Sequence, residues 1–157
     1  NYTAVLEHVY GINDERVVHI HGSLREYEDN PILGHGNIER IEKINAKLEA
    51  AERIYDEKEI SICKVVKDYY ERTFKNVNKI LWLEDKDVDE IQVIGHSIAG
   101  VDLPYFSNIE LCTGHKAKWI VYYWGKDEKD RMFNDLVECG ISKDRINMKP
   151  ALEFYDL

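Results

Sequence analysis

Ile91-Gln92-Val93-Ile94-Gly95-His96-Ser97 opens the part of the sequence that carries the architecture, and Lys118-Trp119-Ile120-Val121-Tyr122-Tyr123-Trp124 repeats its theme. The first five residues of the opening run are rich in β-branched side chains and predict a strand over 91–95. Asp102 then stands where a helix cap belongs, with Pro104 tolerated in the first turn of a helix over 103–111. The second run predicts a strand over 118–124. Asp127 is the expected cap of a further helix holding Met132, Phe133, Leu136 and Val137, stopped by Gly140. Residues 145–148 read as a last short strand. Strands and helices alternating through short links predict a parallel, doubly wound α/β sheet. Ligands of such sheets bind beyond the carboxyl ends of the strands, where Gly95-His96-Ser97 falls.

Upstream, residues 3–10 predict a short helix with Gly11 as its stop. Residues 16–20 (RVVHI) predict another strand, ending at His21-Gly22-Ser23. Residues 24–36 contain Asp29-Asn30-Pro31, Gly34 and Gly36 and read as loop. Asn37 can cap a long helix whose apolar positions, Ile38, Ile41, Ile44, Leu48 and Tyr55, keep a helical period. A second helix over 63–83 follows, with Val66, Tyr69, Tyr70, Phe74, Val77 and Leu81 as its stripe. The expected organisation is one domain over 1–157 with a charged helical insertion at about 37–83. The chain begins at Asn1 and a motif begins with it, so sequence upstream is expected.

Hydrophobic residues make up 44% of the 157, enough for a core, and the formal net charge is −9. That charge argues against a nucleic-acid binder, which needs a basic stripe. No apolar run approaches the ~20 residues of a membrane span, and no signal peptide is visible. The three cysteines, Cys63, Cys112 and Cys139, are far apart and form no C-x-x-C pair, which points to buried thiols in a reducing compartment, the cytoplasm.

Several groups could carry chemistry. His21 closes a predicted strand and is followed by Gly22, which lets a ligand come close; an imidazole suits proton transfer near neutral pH. Its alternative is a histidine bonded to the backbone. His19 and His21 form a His-x-His pair, yet a zinc site needs further ligands that no second paired motif supplies, so no metal is expected. In Gly95-His96-Ser97-Ile98-Ala99-Gly100, backbone amides and Ser97 could hold phosphate or ribose oxygens. A nucleophile elbow, G-x-S-x-G, is the competing reading; here Gly100 comes one residue too late. A turn without a ligand is the third. Asn1 alone reads as a turn or cap residue, and Asp102 as a cap.

Taken in order, these segments resemble a known pattern. Asn1-Tyr2-Thr3, His21-Gly22-Ser23-Leu24 and Val93-Ile94-Gly95-His96-Ser97-Ile98 are similar to the Asn-containing helix start, the catalytic His-Gly-Ser and the NAD-contacting Gly-Thr-Ser turn of sirtuins. The chain resembles still more the AbiH family of abortive-infection proteins, on Asn1-Tyr2-Thr3, His19-Ile20-His21-Gly22, Leu33-Gly34-His35-Gly36, Ile94-Gly95-His96-Ser97 and Val101-Asp102-Leu103-Pro104-Tyr105-Phe106. Thr3 and His96 depart from the sirtuin Asp and Thr, and the paired cysteines of the sirtuin zinc are absent from the sequence.

The resemblance implies a three-layer, Rossmann-like, sirtuin-like sheet and a role in bacterial defence against phage. It implies NAD as ligand or substrate, cleaved between nicotinamide and ribose. His21 and Asn1 would be catalytic. Gly22, Ser23, Gly95, His96, Ser97, Asp102 and His35 would line the nucleotide. A nucleotide sensor without turnover, or a component that docks a defence partner or a second copy of itself, are the alternative readings.

Overall fold

The structure, a computed structural model, describes residues 4–24, 31, 38–100 and 102–155. Asn1, His35, the Gly34–Gly36 stretch and Asn37 lie outside the described residues. The chain divides into two compact units, Asn1–Lys79 and Ile80–Leu157.

In the second unit the predicted alternation is present. Strand β1 (Glu90–Val93) leads to helix α4 (Leu103–Cys112), strand β2 (Lys118–Tyr123), helix α5 (Lys126–Glu138), strand β3 (Ile146–Pro150) and a short helix α6 (Leu152–Tyr155). The sheet has the order β1-β2-β3 and both pairings are parallel, with Val93 opposite Val121 and Val121 opposite Met148. Each strand neighbours the next in sequence, so the reversal of a doubly wound sheet is not among the described strands. The right-handed crossover rule expects α4 and α5 on one face of a sheet in this order, and the two helices touch.

Strand β2 shows why this sequence makes a central strand. Its side chains alternate between faces. Trp119 and Val121, both fully buried, join Val93, Ile98, Phe106, Met132, Leu136 and Ile141 in the core beneath the helices. Tyr122 points the other way and packs edge-on against Phe154 of α6, ring centroids 5.3 Å apart.

The helix ends explain themselves locally. Helix α5 is preceded by Gly125, not capped by Asp127 as the sequence suggests; Glu128 reaches back to accept the Trp124 amide at 3.0 Å. Its end is a Schellman motif. Gly140, at φ 92°, lets its own amide bond Val137 O and the Ile141 amide bond Leu136 O. Ile141 is then buried beside the helix it terminates.

At the amino ends of the strands lies a buried charge cluster. Glu110 of α4 is fully buried. Its carboxylate accepts from both Nη1 and Nη2 of Arg145, from Trp119 Nε1 at 3.1 Å, and bonds His115 Nδ1 at 3.0 Å. Arg145 also donates to Ala117 O at 2.8 Å. Burial alone would raise the Glu110 pKa; the bonds from Arg145, Trp119 and His115 outweigh it and hold the group below the ordinary carboxylate value. This cluster ties α4 to the start of β2 and the residue before β3.

The first unit holds α1 (Val5–His8), α2 (Ile38–Arg53) and α3 (Glu57–Glu71), and a 3-10 stretch, Arg72–Asp85, follows α3. Helices α2 and α3 pack on each other. The first ends with Tyr55 at φ 54° while the Asp56 amide bonds Ala51 O at 3.0 Å. That is the Schellman arrangement again, here with a tyrosine where glycine is usual. The helix predicted over 63–83 begins earlier, at Glu57, and its later part is 3-10 rather than α. None of the described helices is long and apolar enough to cross a membrane.

The strand predicted over 16–20 is corrected. Asp14–Arg16 is a turn of 3-10 helix capped by Asn13, and Val17 is extended, but no strand is assigned among the described residues of this unit. β-Branched residues favour extended backbone; they do not supply the neighbour that makes a ladder.

Candidate functional site

The turn after β1 holds two left-handed residues within four positions. β1 ends at Val93, and Gly95 enters the left-handed region at φ 65°. Nothing lies within 4 Å of where its Cβ would be, so glycine is required by conformation and not by space. Three residues on, Ile98 is also left-handed at φ 48°, although it is β-branched, and its side chain is fully buried in the core. Such a residue persists only when its surroundings over-determine it.

Two side chains do so. His96 Nδ1 accepts the Ile98 amide at 2.9 Å. In the neutral ring the proton is therefore on Nε2, which faces Asp102 Oδ2 at 3.4 Å. The imidazole also packs edge-on against Phe106, centroids 5.3 Å apart. His96 is thus a bracket between the turn and the start of α4, with both nitrogens engaged. Asp102 occupies the cap position of α4, yet its side chain makes no capping bond to the helix. Its carboxylate faces His96, which corrects the sequence expectation of a simple cap. Tyr105, one turn into α4, is buried; burial first, and the Asp102 charge second, push its pKa up to about 12, so it is a neutral phenol.

The second brace is Arg131 of α5. Its Nη2 donates to Ser97 O at 2.7 Å and its Nη1 to Ile98 O at 3.0 Å. Asp135 at 3.1 Å and Glu128 at 3.8 Å flank the same guanidinium. Sequence reasoning missed Arg131. Its bond to Ser97 spans 34 residues, and its spacing from Asp135 is that of an ordinary surface pair.

Gly95, His96, Ser97 and Asp102 are therefore brought together at the carboxyl end of β1, with Gly95, His96 and Ser97 exposed. Around the carboxyl end of β2, Trp124 is 57% exposed. The first turn of α5 carries Asp127 and Glu128, which makes that helix start a poor place for an anion.

His21, Gly22 and Ser23 belong to the first unit. His21 sits in a tight turn in which the Gly22 amide donates to His19 O at 3.1 Å, and Ser23 is 1% exposed. His19 Nε2 bonds Glu7 Oε1 at 2.9 Å, and both side chains are nearly buried. The imidazole of the predicted His-x-His pair that lies nearer the N-terminus is thus held by a carboxylate of α1. Among the described residues no group of three or more His, Cys, Asp or Glu gathers as a metal site would. The cysteines are free and buried; burial raises the thiol pKa of Cys112 and Cys139.

The family model for bacteriophage abortive infection AbiH matches residues 1–123, which include the His-Gly-Ser turn, β1, the Gly-His-Ser turn, α4 and β2. No curated protein and no solved structure matches the chain. With most of its length accounted for by that one model, the chain belongs to the AbiH family of bacteriophage abortive-infection proteins.

Proposed function

We propose that this chain serves abortive infection by binding a dinucleotide and cleaving NAD between nicotinamide and ribose, in the cytoplasm. The observation that carries the reading is the turn of residues 95–98: a strained, doubly braced corner at the carboxyl end of a parallel strand, the usual address for a nucleotide in such sheets. The sirtuin-like order of Asn1-Tyr2-Thr3, His21-Gly22-Ser23 and Gly95-His96-Ser97 supports NAD as the nucleotide, and a Rossmann-like sheet as its frame.

In this reading the bond from ribose C1′ to the nicotinamide nitrogen breaks with both electrons leaving on nicotinamide. Positive charge develops on the sugar in an oxocarbenium-like transition state. Water forms the new bond at C1′, and its proton passes to the imidazole of His21. Asn1 would orient that water or the ribose, since its amide both donates and accepts. Gly22 and Ser23 shape the turn that carries His21. Ser97 and the amides of its turn would hold ribose or phosphate oxygens, with Gly95 giving close access. Asp102 would accept from a ribose hydroxyl, and His35 would line the pocket. His96, with both nitrogens engaged, would act by keeping the turn in shape.

The test is direct. Full-length protein, activated by infection, is incubated with NAD and nicotinamide release is followed. Release that falls by about a hundredfold or more in His21→Ala is expected, the scale of lost general-base catalysis. Release equal in the two proteins would reject His21 as the base. Tight NAD binding with no release would identify a nucleotide sensor instead.

A further inference from the structure

Arg131 belongs to none of the motifs shared with the family, and the matched region ends before it, at residue 123. Ion pairs with Asp135 and Glu128 on the same helix face would, by themselves, contribute little. What sets Arg131 apart is that one guanidinium bridges two successive carbonyls, Ser97 O at 2.7 Å and Ile98 O at 3.0 Å. The left-handed φ of Ile98 brings both oxygens within reach of one planar fork. In a trans peptide the N–H points opposite to its C=O. Drawing these two carbonyls toward α5 therefore turns the Ala99 amide away from Arg131. It also directs the Ile98 amide away from α5, where His96 Nδ1 accepts it. The arginine and the histidine stabilise the same peptide from opposite sides.

The flanking carboxylates balance the charge of Arg131, so its contribution to ligand binding would come through the shape of the turn and not through attraction of a phosphate. We propose that Arg131 is a positioning residue that fixes the conformation of residues 95–98 and thereby sets the affinity for the nucleotide. The affinity part rests on the nucleotide-binding reading above; the hold on the turn does not.

The experiment uses full-length protein, Arg131→Ala and Arg131→Lys. Hydrogen exchange is measured over residues 95–100, and NAD binding by calorimetry at two salt concentrations. Faster exchange over 95–100 is expected in Arg131→Ala, with NAD binding weakened about tenfold or more and an unchanged salt dependence. Arg131→Lys falls between, because an ammonium cannot bridge both carbonyls as a fork does. If Arg131→Ala does not fold, Arg131→Lys carries the test. Unchanged exchange in a folded variant would overturn the proposal whatever the ligand does. Weaker binding with a flattened salt dependence would make Arg131 a direct phosphate contact and overturn it as well. Faster exchange with undiminished affinity would reduce it to a structural brace. Absence of NAD binding in the unaltered protein would reject the function reading, while the exchange data would still judge the hold on the turn.

Discussion

Replacing Glu110 by alanine removes the acceptor of four hydrogen bonds from the interior of the second unit: two from Arg145, one from Trp119 and one shared with His115. The guanidinium that remains is mostly buried, at 16% side-chain exposure, and keeps its bond to Ala117 O. Breaking a buried pair by removing one partner costs about 3–5 kcal/mol, because the surviving charge is left in a poor solvent. The bond retained to Ala117 puts the expected loss near the middle of that range, about 4 kcal/mol. That is a large share of the roughly 5–15 kcal/mol that holds a domain together. Equilibrium urea unfolding, followed by the fluorescence of the tryptophan that bonds Glu110, reads it. Arg145→Ala alone should also destabilise, and the double variant should lose clearly less than the sum of the singles. A loss under about 1 kcal/mol in Glu110→Ala would refute the reasoning, since it would mean the network is already hydrated. The acid dependence follows with a definite sign. Glu110 titrates below its unfolded value in the fold, so its contribution is complete above the ordinary glutamate pKa of 4.5 and disappears as pH falls through the lowered one. Glu110→Gln should therefore flatten the acid limb of the stability profile.

Two further outcomes test the backbone. Tyr55 is left-handed and 87% exposed, so Tyr55→Gly removes strain and little packing; a gain of about 0.5–1 kcal/mol in thermal or urea unfolding is expected, and a loss would show that the tyrosine ring holds the hairpin. At Ile98 the same substitution should go the other way. Relief of about 1–2 kcal/mol of left-handed strain is smaller than the roughly 2–5 kcal/mol lost with a fully buried isoleucine side chain, so Ile98→Gly should be less stable by urea titration.

The sequence reveals those elements whose cause is local. The β-branched and aromatic runs form strands because they are buried on alternating or both faces, although β1 stops at Val93 and β2 at Tyr123, short of the predicted 95 and 124, and glycine after the helix pattern stops α5 where expected. The extended run at 16–20 misled because pairing is a property of two segments and only one is visible in a window. Tyr55 gives no sign of its left-handed conformation, since glycine is the usual residue there. Gly95-His96-Ser97 is recognisable as a candidate from its position after a strand. Its bracing is not, because Arg131 approaches from the next crossover helix and His96 looks in sequence like any exposed imidazole. The Glu110 cluster escapes for the same reason: Arg145 is 35 residues away, and nothing near Glu110 announces a buried charge.

Because the sheet adds its strands in the order in which the polypeptide is made, a nascent chain leaving the ribosome can pair β1 with β2 before β3 has been synthesised. Each pairing crosses over through a helix, from Glu90 to Lys118 and from Trp119 to Ile146, so each forms more slowly than a hairpin would. Arg145 is translated after Glu110 and Trp119, and so arrives last at a carboxylate already surrounded by α4 and β2. The ion pair then works as a clasp on the third strand: until it closes, the intermediate carries an uncompensated acid, and a chain truncated before Arg145 should be captured by chaperones or proteases instead of persisting.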